Sequence, residues 1–349
     1  MPPAHGLAPE GLGQVEAALA REIDRLPAPL ARPCARVAGA GGKRLRPALV
    51  LAAAAAVGVP ASPQVVDAGV AVELLHLATL VHDDLLEGAS TRRGAPTINA
   101  GEGPAMALLA GNVLIGAATR LATSLSAEAG LLVQQTLVEL CAGQALEEQA
   151  RFRLDLTDQG ALDIAEGKTG SLLGAACRLG ALLGPAGDGD EAAVLAGFGR
   201  AFGTCLQLLD DLLDLLSSQA LFGKPVGVDF AAGTVTLPAV HALAVEPELR
   251  HLLRPGLSDV ERQRALVLLR CCGGIPAALR CAVEHADRAQ ALLEGAGAAA
   301  DPGVLAHLAA MPQHYLTRQL DLVLPEHRHL LGNLTPGTAP GFGVLASSR

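Results

Sequence analysis

Apolar residues recur along this chain at helical spacing, and almost nowhere do they alternate as the half-buried strand of a sheet would require. The periodic stretches run over roughly 10–26, 44–57, 63–88, 104–126, 127–150, 159–183, 189–218, 235–246, 258–271, 275–294 and 301–322. Breaks fall at GVPASP, GEGP, GPAGDGD and GKPVGVDFAAGT, where Gly and Pro interrupt the pattern. The available side chains agree. Half of the residues are hydrophobic but only 2% are aromatic, with no Trp, so the core has to be built from Ala, Leu and Val, sizes that let helices approach closely. An all-α fold with no significant sheet is predicted. Residues 1–9 and about 333–349 are rich in Pro, Gly, Ala and Ser and read as flexible ends. Between them, neither a fixed-period repeat nor a long linker divides the chain, so 10–332 reads as a single all-α domain.

The formal charge of −9 argues against a nucleic-acid partner, which needs a basic face. Seven cysteines are scattered without a CxxC pair. Their odd number and the lack of a secretory signal predict reduced thiols and a cytoplasmic location. The longest apolar run, Ala48–Ala61, is too short and too broken by Gly and Pro to cross a bilayer, so no transmembrane segment is expected.

Against this apolar background two acidic clusters stand out. In HDDLLE, Asp83 and Glu87 are four residues apart and share one helix face, with Asp84 beside them. Like charges at this spacing repel, so they suit a bound cation, and hard oxygen ligands favour Mg²⁺. A solvated acidic helix end is the alternative for this stretch alone. LQLLDDLLDLL repeats the pattern with Asp210, Asp211 and Asp214 in closely apolar surroundings, where the alternative is an acidic surface stripe. Two such helices facing each other would hold on the order of two or three Mg²⁺ ions and a diphosphate. Short basic groups accompany them: Lys43, Arg44 and Arg46 in GGKRLRP, Arg92 and Arg93 in RRG, Lys168 with Thr169 in EGKTG, and Lys224 in FGKPVG. Together they suit two diphosphates, one held through metal and one held directly by Lys and Arg.

Taken in order, GGKRLRP, ELLHLATLVHDDLLEGASTRRGAPT, EGKTGSLL, LQLLDDLLD and GKPVGVDFAAGTVTLP resemble the trans-isoprenyl (polyprenyl) diphosphate synthase family, of the geranylgeranyl or longer-chain type. The resemblance runs from about Gly41 to Pro238, with a weaker helical tail to about residue 322. It implies an isoprenoid-synthase helical bundle around a central substrate cavity, usually a homodimer. It also implies a Mg²⁺-dependent condensation of isopentenyl diphosphate with a farnesyl, geranyl or dimethylallyl diphosphate. By the same resemblance Asp83, Glu87 and Asp210 are the main metal ligands, supported by Asp84, Asp211 and Asp214. Arg92, Lys168, Thr169, Gln207 and Lys224 face the allylic diphosphate. Lys43, Arg46, His76 and Arg93 hold isopentenyl diphosphate, and Gln144 lies near the reacting chain.

Three positions depart from the family pattern: Glu87 where the first motif ends in Asp, Asn112 where Asp is common, and Thr234 where a Lys near the allylic diphosphate is common. Chain length is read from Leu75, Ala78 and Thr79, which precede Asp83. Small residues at 78 and 79 imply a product of C20 or longer. A terpene cyclase would use a different second metal motif and no isopentenyl site. A weakly active partner subunit on the same fold is the other alternative. An HD-type phosphohydrolase lacks its upstream His pair here, and a di-iron carboxylate bundle would need a second Glu-x-x-His beside Glu73 and His76.

Overall fold

The computed structural model describes residues 9–216, 227–296 and 300–327. Helices dominate: α1 (Pro9–Asp24), α2 (Ala28–Gly39), α3 (Leu45–Ala56), α4 (Pro63–Leu86), α5 (Ile98–Glu102), α6 (Pro104–Leu125), α7 (Ala127–Ala150), α8 (Asp158–Ala165), α9 (Ser171–Leu182) and α10 (Asp190–Leu216). They continue as α11 (Val228–Ala232), α12 (Leu237–Val245), α13 (Pro247–Leu252), α14 (Asp259–Cys271), α15 (Gly274–Glu294) and α16 (Pro302–His327). One hairpin, β1 (Thr91–Arg92) with β2 (Ala95–Pro96), is the only sheet among the described residues. The all-α prediction therefore holds. One predicted helix, 159–183, is instead α8, a π-helical turn at Glu166–Gly170, and α9.

Contacts group the described residues into two compact units. Of the described residues, the first draws on those within 9–139, 171–199 and 292–308, the second on those within 140–170, 200–291 and 309–327.

In the first unit α3 is almost entirely buried. Its Ala-rich sequence leaves so little side chain that α9 reaches its backbone, and a Cβ at Gly180 would strike the Val50 carbonyl. α4 packs on α1, α3, α6 and α9. It starts at Ser62, whose hydroxyl accepts from Val65 N at 3.4 Å, with Pro63 in the first turn where a missing N–H costs nothing. The second unit is cored by α10, α12, α14 and α15, with Leu209, Leu212, Leu243, Leu269 and Leu279 buried together. Phe202 meets Tyr315 edge-on, with centroids 6.3 Å apart.

Judged along whole helices rather than by the longest apolar run, α4, α6 and α10 are long and apolar enough to cross a membrane by length and composition alone. In α4 and α10 most of that stretch is buried within the fold, and in α6 it is 44%. The seven cysteines carry no disulfide.

Candidate active site

In the first unit the site grows from the end of α4. Gly88, at φ 65°, lets the chain leave the helix: Ala89 N bonds the Asp84 carbonyl at 2.9 Å and Gly88 N the Leu85 carbonyl at 3.3 Å. This cap stops α4 directly after its acids. Successive helix positions point about 100° apart, so Asp84 cannot share the face of Asp83 and Glu87. Asp84 is buried, and Arg92 Nε donates to its Oδ1 at 2.8 Å. Asp83 is half-buried and Glu87 exposed, so these two remain on the accessible face.

The β1–β2 hairpin then carries the arginines. Its loop residues Arg93 and Gly94 both have positive φ, 52° and 79°, the geometry that matches strand twist in a two-residue hairpin. For an Arg this conformation costs about 1–2 kcal/mol. It sends the side chain to Gly42, where an added Cβ would lie 2.9 Å from the Arg93 guanidinium. The hairpin is thus brought onto GGKRLRP. Arg46 Nη1 donates to His76 Nε2 at 3.1 Å, so this imidazole is neutral with its proton on Nδ1. Burial, then the charges of Arg46, Arg93, Arg92 and Arg44, hold its pKa well below the usual range. The Arg93 pKa is lowered by burial and then by Arg92 and Arg44, against the attraction of Glu73. This concentration of positive charge suits an anion. Alongside lies a cleft whose lining includes Leu80, Asp84, Arg92, Arg93 and Thr97.

Arg44, read in the sequence with Lys43 and Arg46 as a basic group suited to a diphosphate, is engaged structurally instead. At φ 46° it caps α3, and its side chain, 9% exposed, bridges Glu73 at 2.7 Å and Glu16 at 2.6 Å and donates to the Ala38 carbonyl at 2.8 Å. It anchors the segment that presents Lys43 and Arg46. Leu75 and Ala78 are buried, and Thr79 spends its hydroxyl on the His76 carbonyl at 2.8 Å.

In the second unit the π-helical turn Glu166–Gly170 holds Lys168 and Thr169. Such turns often mark functional sites. Two helices press on its backbone through glycines. A Cβ at Gly143 of α7 would sit 2.7 Å from Gly167 C, and one at Gly203 of α10 2.6 Å from Gly170 Cα. Gly203→Ala is therefore expected to cost about 1–3 kcal/mol by overpacking, read as a lower midpoint in chemical denaturation.

From this turn Thr169 Oγ1 donates to Gln207 Oε1 at 2.6 Å, and Gln207 Nε2 donates to Asp211 Oδ1 at 2.9 Å. Lys168 pairs with Glu147. Gln144 Nε2 also donates to Glu147, at 3.1 Å. Glu147, Lys168, Gln207, Asp211 and Thr234 line one cleft. Burial first, then Asp229, Asp210 and Glu147, push the Asp211 carboxyl well above its usual pKa, against the Gln207 hydrogen bond. Asp210 is exposed and Asp214, four residues on, half-buried. The loop carrying Thr234 is pinned by Arg151 and Phe152: Arg151 Nη2 donates to the Ala232 carbonyl at 2.6 Å and Phe152 N to the Gly233 carbonyl at 2.8 Å. Lys224 lies outside the described residues.

Sequence reasoning missed Glu147, although it stands three residues after Gln144 and so on the same helix side. Among the described residues no three His, Cys, Asp or Glu side chains converge to hold a metal by themselves. The carboxylate pairs present oxygen only and crowd negative charge. They fit a hard cation that takes its remaining ligands from water and phosphate, rather than a closed structural cage.

Residues 27–268 match the family model described as polyprenyl synthetase. The chain belongs to the polyprenyl synthetase family. Among similar proteins, the nonaprenyl diphosphate synthase of Mycobacterium tuberculosis is 35% identical over 285 residues, covering 80% of this chain and 85% of that protein. The geranylgeranyl diphosphate synthase of the same organism is 39% identical over 272 residues, covering 74% and 77%. The polyprenyl synthase of Caulobacter crescentus, solved with calcium and isoprenyl diphosphate, superposes with a TM-score of 0.81 at 28% identity, covering 88% of this chain and 95% of that one. The all-α isoprenoid-synthase fold is thus established.

Proposed function

We propose that this polyprenyl synthetase family member is a trans-prenyltransferase. It joins isopentenyl diphosphate to an allylic diphosphate and releases a linear all-trans polyprenyl diphosphate of C20 or longer. The observation that carries this reading is the cleft lined by Lys168, Gln207, Asp211 and Thr234, with Thr169 donating to Gln207 and Gln207 to Asp211. It offers a cation, fixed polar groups and acids to one polyphosphate. Lys168, Gln207, Arg92 and Lys224 hold the allylic diphosphate in this reading, while Lys43, Arg46 and Arg93 hold isopentenyl diphosphate, with neutral His76 orienting Arg46. Asp83, Glu87, Asp210 and Asp214 would hold Mg²⁺, which when bound neutralises the allylic diphosphate as its C–O bond breaks. Asp84 orients Arg92, and Asp211 orients Gln207. The isopentenyl C=C then bonds to the allylic carbon, and a proton leaves C2 of the isopentenyl unit for an oxygen of the released diphosphate. Apolar walls keep water from the cation.

Exposed Leu108 and Leu109 on α6, with Leu131 and Val138 on α7, support assembly as a homodimer. The seven unbridged thiols support a cytoplasmic site.

The test is incubation of the purified protein with Mg²⁺, labelled isopentenyl diphosphate and, separately, C5 to C20 allylic primers, with the dephosphorylated products sized. Linear alcohols of C20 or longer are expected, and cyclic hydrocarbons formed without isopentenyl diphosphate would replace the reading with a cyclase. Thr234→Lys adds a charge to the Lys168 cleft and is expected to lower the KM for the allylic substrate roughly tenfold, with the isopentenyl KM unchanged in initial-rate kinetics.

A further inference from the structure

Lys168 is already spoken for in the cleft where a diphosphate is to bind. Its backbone is closely packed, because Gly143 and Gly203 bring two helices against the π-helical turn at near-contact distance. Its side chain pairs with Glu147. The partner is built into the same helix face. Gly143 and Glu147 are four apart on α7, so the stripe that touches the turn's backbone also presents the carboxylate to its lysine. The pair is well shielded, the side chains being 20% and 17% exposed, so it is not a solvent-screened surface bridge. Gln144 donates to the same Oε2 at 3.1 Å, which leaves that oxygen with a donor when the lysine departs.

We propose that Glu147 is a positioning residue, a carboxylate latch that holds Lys168 on α7 until an allylic diphosphate takes the ammonium over. The latch rests on the reading that Lys168 serves the allylic diphosphate. In the exchange no bond is made or broken; an ammonium–carboxylate pair becomes an ammonium–phosphate pair. The latch keeps the cation aimed while the cleft is empty and competes with the substrate for it. It also opposes entry of simple anions too weakly charged to displace the carboxylate.

The experiment measures equilibrium binding of farnesyl thiodiphosphate, which resists ionisation, to wild type, Glu147→Gln, Lys168→Met and the double variant, in Mg²⁺. Glu147→Gln keeps size and hydrogen bonding but removes the competing charge, so it is expected to bind the analogue roughly 5- to 20-fold more tightly. In the Lys168→Met background the same change is expected to have no effect, and isopentenyl diphosphate affinity is expected to stay constant throughout. Glu147→Asp, with a shorter reach, is expected to move in the same direction by less, and serves if Glu147→Gln does not fold. Unchanged or weaker binding by Glu147→Gln, or equal tightening without Lys168, overturns the latch. A raised half-saturating Mg²⁺ concentration in Glu147→Gln also overturns it, by making Glu147 a metal ligand. Wild-type protein that binds neither diphosphate overturns the functional reading together with the latch. When wild type binds both diphosphates, a failure among the variants belongs to the latch alone.

Discussion

Asp83→Asn is expected to lower turnover by roughly 10²–10³-fold, the scale seen when one electrostatic stabiliser of a developing charge is lost. The substitution keeps shape and helix propensity, so the last turn of α4 and its Gly88 cap persist. What disappears is a charged oxygen on the accessible face. Asp84 cannot replace it, because that carboxylate is buried and accepts from Arg92 at 2.8 Å. Glu87 would be left as the one acid of its cluster on that face. Steady-state rates across a Mg²⁺ titration check this, and a rate within about threefold of wild type, under 1 kcal/mol, at every Mg²⁺ concentration would remove Asp83 from the metal-binding set.

Glu73→Ala is expected to destabilise the protein by about 3 kcal/mol, the lower end for breaking a buried ion pair by removing one partner. Arg44 would remain 9% exposed, facing only Glu16, whose side chain is 48% exposed, and the Ala38 carbonyl. Burial disfavours the guanidinium charge, and Glu16 and Glu73 more than offset it, so the Arg44 pKa is raised. The same variant loosens GGKRLRP, so the isopentenyl KM is expected to rise while the allylic KM holds. Denaturant melts and two-substrate kinetics report both effects. A melt shift below about 0.5 kcal/mol, the level of an ordinary surface substitution, would show that Arg44 is anchored by other contacts.

The long helices are legible in the sequence because their apolar faces are periodic and their ends are punctuated. SP opens α4, and EG closes it. α2 escapes a local reading, because Pro33 lies inside it and Pro is a breaker wherever only neighbours are weighed. The helix nevertheless buries Pro33, Cys34 and Ala38, so packing outweighs the lost hydrogen bond. The π-helical turn reads as continuous helix, since EGKTG has no local signal for one extra residue per turn. Motif residues are legible as chemistry but not as geometry. Asp83, Asp84 and Glu87 look alike in sequence, whereas the structure turns Asp84 inward to Arg92. Glu147 belongs to no quoted motif and Arg44 reads only as one of the basic residues of GGKRLRP, and their importance comes from partners 21 and 29 residues away. Those distances lie beyond the reach of a local pattern.

The proposed chemistry needs two anion sites of different kind: an allylic site that works through metal and an isopentenyl site made of Arg and Lys alone. Calorimetric binding of farnesyl thiodiphosphate and of isopentenyl diphosphate, each with Mg²⁺ and with EDTA, separates them directly. The expected result is that EDTA abolishes measurable binding of the allylic analogue and leaves isopentenyl diphosphate affinity within about threefold, a change under 1 kcal/mol. Loss of both, or of neither, would contradict the division of labour between the acidic and basic clusters.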